Sequence, residues 1–223
     1  MQLRKNKEKI KDRFTPAEKR LFKSLNSPAK IQDFLETLKI NFEERGETCM
    51  SPRRVMETKK AHCMEGAMFA AAALEFQGHP PLVMDLRAVK HDFDHVVAPF
   101  KLRGHWGAIS KTNHAVLRYR EPVYNTLREL ALSYFHEYFM DDGKKTLREY
   151  SKPMNLKRFD RLNWRTVAED LWDIPDALDE ARHFRIVSPA QVKQLRQADV
   201  LEIAAGKLTE WKLVKNKSIK NRF

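Results

Sequence analysis

One cysteine and one distant histidine have the residue types that nucleophilic catalysis needs. Cys63 precedes a long apolar segment, and His95 stands later in the chain at the head of a short apolar run. If Cys63 begins a helix, the helix dipole and the unpaired N–H groups of the first turn favour its thiolate. An imidazole is the usual base for a thiol. The two residues therefore predict a thiolate nucleophile with His95 as its base, although they also fit a buried, inert cysteine.

Helices are the first elements that would position this pair. Ser or Thr followed by Pro is typical of an N-cap and a first helical turn. Such pairs begin at Thr15, Ser27 and Ser51. A further helix is predicted over 63–76, where the sequence is rich in Ala and apolar nearly all round. This helix should be buried on most sides, and Gly78 should end it.

Four short strands are predicted after this helix. They cover 82–86, 95–100, 106–110 and 114–118, and their spacing is typical of an antiparallel meander. Helical patterns return after Thr126. They comprise an apolar stripe over 127–138, a helix over 164–172 capped by Asn163, and a helix after Ser188. Helices, then a small sheet, then helices predict an α+β fold.

The charge of the chain is concentrated at its two ends. Residues 1–24 hold nine Lys/Arg and three Asp/Glu, and residues 207–223 hold six and one, so the ends carry +6 and +5 of the net +12. The prediction is a basic segment with a short helix over 1–24, a core over 25–125, a helical region packed on the core over 126–206, and a basic tail over 207–223. The basic ends predict solvated tails, with weak contact to nucleic acid or another polyanion as the alternative.

The composition favours a globular protein with a core. Hydrophobic residues make up 42% of the 223 residues and charged residues 32%. No apolar run reaches the roughly 20 residues needed to cross a bilayer, and the charged start lacks the apolar stretch of a secretory signal. The sequence therefore predicts a cytoplasmic protein without a membrane partner. Cys49 and Cys63 are too few for a disulfide scaffold, and no phosphate-binding glycine motif is present, so no cofactor is predicted.

A metal site is the alternative use of the same segments. Potential zinc ligands stand close together in the sequence: His91, Asp92, Asp94 and His95, with His62 and Cys63 as further candidates. Neither a Cys-x-x-Cys nor a His-Glu-x-x-His motif accompanies them. The thiolate interpretation is therefore favoured over a metal, and His62 is predicted to face away from Cys63, as either a helix cap or a surface residue.

Five short motifs occur in an order that a known family shares. They are SPRRV at 51–55, CMEGA at 63–67, Gly78, DHV at 94–96 and GHW at 104–106. In this order, the stretch 27–110 resembles the core of the transglutaminase-like superfamily of papain-like cysteine proteases, amidases and acyltransferases. The resemblance implies a buried helix with nucleophilic Cys63 at its head, packed on a small antiparallel sheet that carries His95. It also implies hydrolysis or acyl transfer at an amide or peptide bond, through an acyl-enzyme.

Two positions depart from the family pattern. Ala61 stands where the family usually has Gly, and Ser110 stands where its catalytic Asp is expected. By position, the resemblance implies Ser110 as the third catalytic residue, with Asn113 as the alternative because an amide can also orient a histidine. Trp106 is a candidate for a wall of the site, although a buried place in the core is the favoured alternative. A neutral Ser110 also fits a catalytically decayed member of the family that serves as a binding module.

Overall fold

The predicted helix starts are present at the first three Ser-Pro and Thr-Pro pairs and also at Ser188-Pro189. The computed structural model describes residues 13–44 and 46–209. The hydroxyls of Thr15, Ser27 and Ser51 each accept a hydrogen bond from the backbone N–H three residues further on. Each cap satisfies a donor that the helix itself leaves unpaired. The Pro that follows each cap fits the first turn because its missing N–H would have had no helical partner.

The described residues form helices, one main sheet and a separate pair of short strands. The helices are α1 (Pro16–Ser24), α2 (Pro28–Thr37), α3 (Pro52–Thr58), α4 (Cys63–Gln77), α5 (Leu127–Phe135), α6 (Asp173–Asp179), α7 (Pro189–Val192) and α8 (Val200–Gly206), with a 3-10 helix over Leu156–Leu162. The strands are β1 (Lys39–Ile40), β2 (Lys60–Ala61), β3 (Leu82–Arg87), β4 (His95–Leu102), β5 (His105–Ser110), β6 (Arg120–Tyr124), β7 (Glu149–Ser151), β8 (Met154–Asn155) and β9 (His183–Arg185).

The main sheet is antiparallel throughout. Its strands follow the order β6-β5-β4-β3-β7-β9, and β8 pairs with the beginning of β3. The strands β1 and β2 form a separate parallel pair that leads into α4. The structure is therefore α+β with an antiparallel sheet, as the order of sequence patterns predicts. No helix among the described residues is long and apolar enough to cross a membrane.

Helix α4 lies between the sheet and the N-terminal helices. It packs against β3, β4 and β5 on one side and against α1, α2 and α3 on the other. Every residue from Met64 to Phe76 is buried, which explains why this helix has no polar face. Gly78 ends the helix at φ +103°, a conformation that costs glycine little. The predicted start, burial and end of this helix are all confirmed.

A second core fills the opposite face of the sheet. Side chains of α5, among them Leu130 and Tyr134, pack there against Met84 of β3 and Val97 of β4. On β4 the neighbouring residues Val96 and Ala98 belong instead to the core around α4. The strand is buried on both faces for this reason, and its sequence shows no polar alternation.

The fourth predicted strand was placed too early in the chain. The sequence predicts it over 114–118, whereas the structure has a bent loop there and the strand β6 at Arg120–Tyr124. Leu117 adopts a left-handed φ of +60°, which interrupts extended backbone. The Leu117 N–H donates to the Glu137 carboxylate, and the Leu117 carbonyl accepts from the Ser110 hydroxyl. Side-chain hydrogen bonds, and not strand pairing, therefore fix the loop.

The predicted helix over 164–172 is wrong. Asn163 does not begin a helix; it ends the 3-10 helix with a left-handed φ of +50°, and turns follow it. Trp164 and Arg165 are fully buried within these turns. The next helix, α6, begins only at Asp173. Burial of the Arg165 side chain against Glu75 determines the path of the backbone here, and no local sequence pattern records that contact.

The region over 126–206, for which the sequence predicts helices, also contributes strands. Strands β7 and β9 extend the sheet beside β3, and β8 pairs with the same strand. Each has only two or three residues, which is too short to produce a recognisable alternation of polar and apolar side chains. This region is therefore continuous with the sheet that carries His95.

Candidate active site

Cys63 is the first residue of α4 and opens into a cleft. Its side chain is partly exposed and its sulfur is a free thiol. The cleft has a volume of about 610 Å³, and its lining includes His62, His95 and Asn113 as well as Cys63. The predicted nucleophile and its predicted base therefore share one cavity at the end of a buried helix.

His95 is held by Ser110 on the neighbouring strand. The pairing of Val97 with Ser110 puts His95 and Ser110 diagonally on the same face of the sheet. His95 Nε2 lies 2.8 Å from Ser110 Oγ, and that hydroxyl donates its own proton to Leu117 O at 2.6 Å. Ser110 Oγ must therefore accept from an Nε2–H group. This tautomer leaves His95 Nδ1 without a proton and able to accept one from the thiol of Cys63, whose pKa the ring lowers.

The environment of Cys63 favours the thiolate. Burial alone would raise the pKa of this thiol, but hydrogen bonds from His62 and His95 and the charges of both rings lower it to about 5. A thiolate next to imidazolium groups at a helix N-terminus is the usual arrangement of a nucleophilic cysteine. Cys49 differs, because burial and the charge of Glu65 raise its pKa to about 12.

The prediction that His62 faces away from Cys63 is wrong. His62 does cap α4, since its Nδ1 accepts from the Met64 N–H at 3.3 Å. However, the same imidazole also lines the cleft beside Cys63, and its interaction with that thiol raises the pKa of the ring. Its Nε2 lies 3.0 Å from Thr48 O. When Nδ1 carries a proton, it can no longer accept the hydrogen bond from the Met64 N–H. It can then donate a hydrogen bond to the sulfur of Cys63 instead.

A buried carboxylate stands behind His62. Glu65 is fully buried and accepts hydrogen bonds from the backbone N–H groups of His62 and Met50 and from the Thr48 hydroxyl. The Asn41 amide donates to the same carboxylate. All of these donors are neutral, so none of them cancels the charge of the carboxylate by ion pairing. Glu65 Oε1 lies 3.5 Å from His62 Nε2.

Gly66 lets the loop after β5 approach the first turn of α4. A Cβ at this position would lie 2.4 Å from Lys111 Cβ, which is closer than atoms can pack. The Lys111 side chain is buried and its ammonium donates to Leu38 O at 2.7 Å. Since Lys111 directly follows Ser110, the glycine brings the partner of His95 close to the helix that carries Cys63.

Two further predicted site residues lie apart from the hydrogen-bonded chain. Asn113 lines the cleft, but in the part of the chain that the structure describes no hydrogen bond joins it to His95. Trp106, predicted as a wall of the site, is not among the described residues that line the cleft. It lies near the opposite end of β5, against the second core and under the Lys101 ammonium. Strand β5 is extended, so its two ends are separated by most of its length.

The C-terminal part of the described chain closes one side of the cleft. Ile203 and Gly206 of α8 line it. The next residues are fixed to the loop after β5, because the Ala115 N–H donates to Leu208 O at 3.0 Å and a β-bridge joins His114 to Thr209. The walls are largely apolar, with Phe93 and Tyr138 on the opposite side.

The alternative metal set is not brought together. Among residues 13–44 and 46–209, the one group of three possible ligand atoms within 4.8 Å of one another is Asp85, Asp94 and Asp179. It lies outside the cleft apart from Asp94, whose carboxylate accepts from the Ala88 N–H. His91 and Asp92 form no such group with His62 and Cys63.

The sequence predictions missed the roles of His62, Glu65 and Gly66. A partial signal was present, because a capping residue followed three positions later by Glu is typical of a capping box. Histidine is a rare cap, so the pattern around Cys63 did not stand out. The predicted basic ends fall largely outside the described residues, at 1–12 and 210–223.

Comparison with known proteins adds no family to this site. No protein-family model matches the chain, and no curated protein matches its sequence.

Proposed function

We propose that this chain is a transglutaminase-like cysteine enzyme that acts on an amide or peptide bond. The observation that supports the proposal is that Cys63 and His95 line one cleft, where His95 lowers the pKa of the thiol and is itself hydrogen-bonded to Ser110, whose hydroxyl donates to Leu117 O. This arrangement has the three parts of a nucleophilic site: a nucleophile, its base, and a group that fixes the tautomer of the base.

In the first step, the Cys63 thiolate attacks the carbonyl carbon of the amide. A carbon–sulfur bond forms and the carbonyl oxygen takes the electron pair as an oxyanion. The backbone N–H of Cys63, in the first turn of α4, has no acceptor within the helix and is suited to bind that oxyanion. The oxyanion then collapses, the carbon–nitrogen bond breaks, and the proton that His95 Nδ1 took from the Cys63 thiol passes to the departing amine.

In the second step, the thioester is released from Cys63. His95 Nδ1 takes a proton from a water molecule while the water oxygen attacks the thioester carbon. The carbon–sulfur bond breaks, the thiolate returns, and a carboxylic acid leaves. An amine in place of water gives acyl transfer by the same route. The apolar walls of the cleft suit a protein or peptide substrate with apolar groups beside the reacting amide.

The arrangement of elements supports the family resemblance. A cysteine heads a buried helix, the helix packs on an antiparallel sheet, and the histidine begins one strand of that sheet. Ser110 ends the next strand at the position where the family has Asp. Its hydroxyl orients His95 through a hydrogen bond but adds no charge that stabilises the imidazolium.

A decayed family member that binds without catalysis is the second candidate. The neutral Ser110 favours it, because replacing a triad carboxylate by an uncharged group lowers turnover strongly. In that case the thiol keeps its environment but forms no acyl-enzyme. Incubating the protein with a mixture of peptide amides and searching for acylated Cys63 by mass spectrometry separates the two candidates, with Cys63→Ala as control.

Alkylation by iodoacetamide tests whether Cys63 is a nucleophile. At about pH 6 we expect rapid modification of Cys63, since a thiolate reacts and a thiol does not. Cys49 serves as an internal control in the same molecule, because its buried thiol should stay unmodified. Peptide mapping assigns the modified residue. Modification of Cys63 no faster than that of free cysteine at the same pH would contradict the proposal.

The cellular setting is proposed on separate grounds. Cys49 and Cys63 are both free thiols, which suits a reducing compartment such as the cytoplasm. Contact of the basic ends with a polyanion remains a proposal from charge alone. Binding to nucleic acid that disappears on removal of 1–12 and 210–223 would support it, and binding that persists would contradict it.

A further inference from the structure

We propose that His62, with Glu65 behind it, is a positioning residue that holds the Cys63 thiolate from the helix side, independently of His95. The inference rests on the proposed function, since it concerns the same nucleophile. It assigns different tasks to the two imidazoles: His62 keeps the resting thiolate charged and in place, and His95 moves the proton.

The surroundings of His62 Nε2 favour a protonated ring. This nitrogen faces three oxygen acceptors: Thr48 O at 3.0 Å, Glu65 Oε1 at 3.5 Å and Glu43 Oε1 at 3.8 Å. A nitrogen surrounded by acceptors must carry a hydrogen, and two carboxylates nearby stabilise a positive ring. The second ring nitrogen, Nδ1, then also carries a hydrogen that it can donate to the Cys63 sulfur.

The position of Glu65 makes its charge available to His62. The carboxylate is fully buried, where charges are screened weakly. Its hydrogen-bond donors are an amide, a hydroxyl and two backbone N–H groups, and none of these carries a positive charge. Among the described residues, the group that can balance its charge is the His62 ring, which shares the capping box with it.

The remaining groups that face this pair leave the charge pattern unchanged. Burial alone would lower the pKa of His62, but the hydrogen bond to Cys63 and the charge of Glu65 raise it to about 9. From β4, His95 adds a second imidazole to the sulfur. Tyr138 faces Cys63 from beyond α5, and burial together with nearby negative charges raises its pKa. The Lys111 ammonium bonds to Leu38 O.

The ion pair of Cys63 and His62 has a defined pH range. The pKa of Cys63 falls from 9.0 to about 5, and that of His62 rises from 6.5 to about 9. The pair is therefore present between about pH 5 and about pH 9. Its stabilisation is lost as the pH falls through the lower value, where the thiolate gains a proton, and as the pH rises through the upper value, where the ring loses one.

The test is the pH profile of Cys63 alkylation in His62→Asn, His95→Gln and the double variant. Asn is a good helix cap and is neutral at every pH, so His62→Asn keeps the cap and removes the charge. An opposite charge nearby typically shifts a pKa by about 1–3 units. We expect the midpoint of His62→Asn to rise by about 1–2 units, which slows alkylation at about pH 5.5 roughly tenfold.

The other two variants separate the imidazoles. In His95→Gln the midpoint should stay below the ordinary cysteine value of about 8.5, because His62 still faces the sulfur. In the double variant it should reach or exceed that value. Thermal unfolding of each variant checks that the fold persists, and His62→Gln gives a second neutral side chain at the same place if His62→Asn unfolds.

Three outcomes are distinguishable. A low midpoint in the wild-type protein that rises in both His62 variants supports the inference. A low wild-type midpoint that neither His62 variant moves overturns it, makes His62 a helix cap alone and leaves the proposed function intact. A wild-type midpoint at the ordinary cysteine value overturns the proposed function, and the inference falls with it.

Discussion

The two ends of α4 each bury a carboxylate, and the two carboxylates are partnered in opposite ways. At the C-terminal end, Glu75 forms two hydrogen bonds with the Arg165 guanidinium, at 2.6 and 2.8 Å, and both side chains are almost fully buried. At the N-terminal end, the donors to Glu65 among the described residues are all neutral, and the carboxylate faces the titratable ring of His62.

This difference separates stability from chemistry within one helix. Arginine never loses its proton in proteins, so the bidentate pair keeps a permanent positive charge beside the Glu75 carboxylate. The pair joins α4 to the turns after the 3-10 helix and so holds the C-terminal region on the core. Within residues 13–44 and 46–209 the carboxylate of Glu65 has no such partner, and its charge therefore acts on His62 and, through it, on Cys63.

Glu75→Gln should give the largest loss of stability. It leaves the Arg165 guanidinium buried, with Asp160 as its remaining acidic partner at 2.7 Å. Breaking one side of a buried pair typically costs about 3–5 kcal/mol, and we expect a loss near the lower end because Asp160 remains. Urea unfolding measures the loss. The midpoint of Cys63 alkylation should stay at the wild-type value, and a shift would contradict the separation of the two ends.

Glu65→Gln is the matched change at the other end. In the variant an amide nitrogen replaces an oxygen that accepts hydrogen bonds, so one donor loses its acceptor. We expect the free energy of unfolding to fall by about 1–3 kcal/mol. Because His62 also loses its nearest carboxylate, the midpoint of Cys63 alkylation should rise by about 1 unit. Glu75→Gln should therefore change mainly the free energy of unfolding, whereas Glu65→Gln should also change the pH midpoint of Cys63 alkylation. The same alkylation midpoint in both variants would contradict the distinction between the two ends of α4.

Gly66→Ala should have a smaller effect on stability. Its Cβ would meet Lys111 Cβ at 2.4 Å, and overpacking of this kind costs about 1–3 kcal/mol, partly offset by the roughly 1 kcal/mol gain in helix propensity of Ala over Gly. The double variant Gly66→Ala with Lys111→Gly removes the clashing atom and should recover part of the loss. Thermal unfolding of both variants measures this. Stabilisation in the single variant would show that the loop yields freely.

Local patterns predicted the elements around the site and failed where distant contacts decide. The caps at Thr15, Ser27 and Ser51, the buried helix from Cys63 and the strand from His95 all depend on residues next to one another in the chain. The turns around Arg165 depend on Glu75, 90 residues away, and no local pattern records that contact. The short strands after α5 exist because β3 offers them an edge.

The candidate site was predicted in part for the same reason. Cys63, His95 and Ser110 are separated by elements whose order fixes their approach, and the structure brings these three together. The role of His62 depends on which way its ring turns, and that direction is decided by Thr48 and Glu65 through the fold. Trp106 lies four residues from Ser110 on an extended strand, so it could not reach the cleft.

The most direct test of the central claim is a titration of thiolate ultraviolet absorbance in the wild-type protein, with Cys63→Ala as the reference. Cys49 contributes nothing near neutral pH because its pKa is raised to about 12. We predict that the difference between the two proteins rises with a midpoint near pH 5, where the thiolate of Cys63 forms between His62 and His95. A midpoint at or above about 8.5, the ordinary value of a free cysteine, would contradict the account.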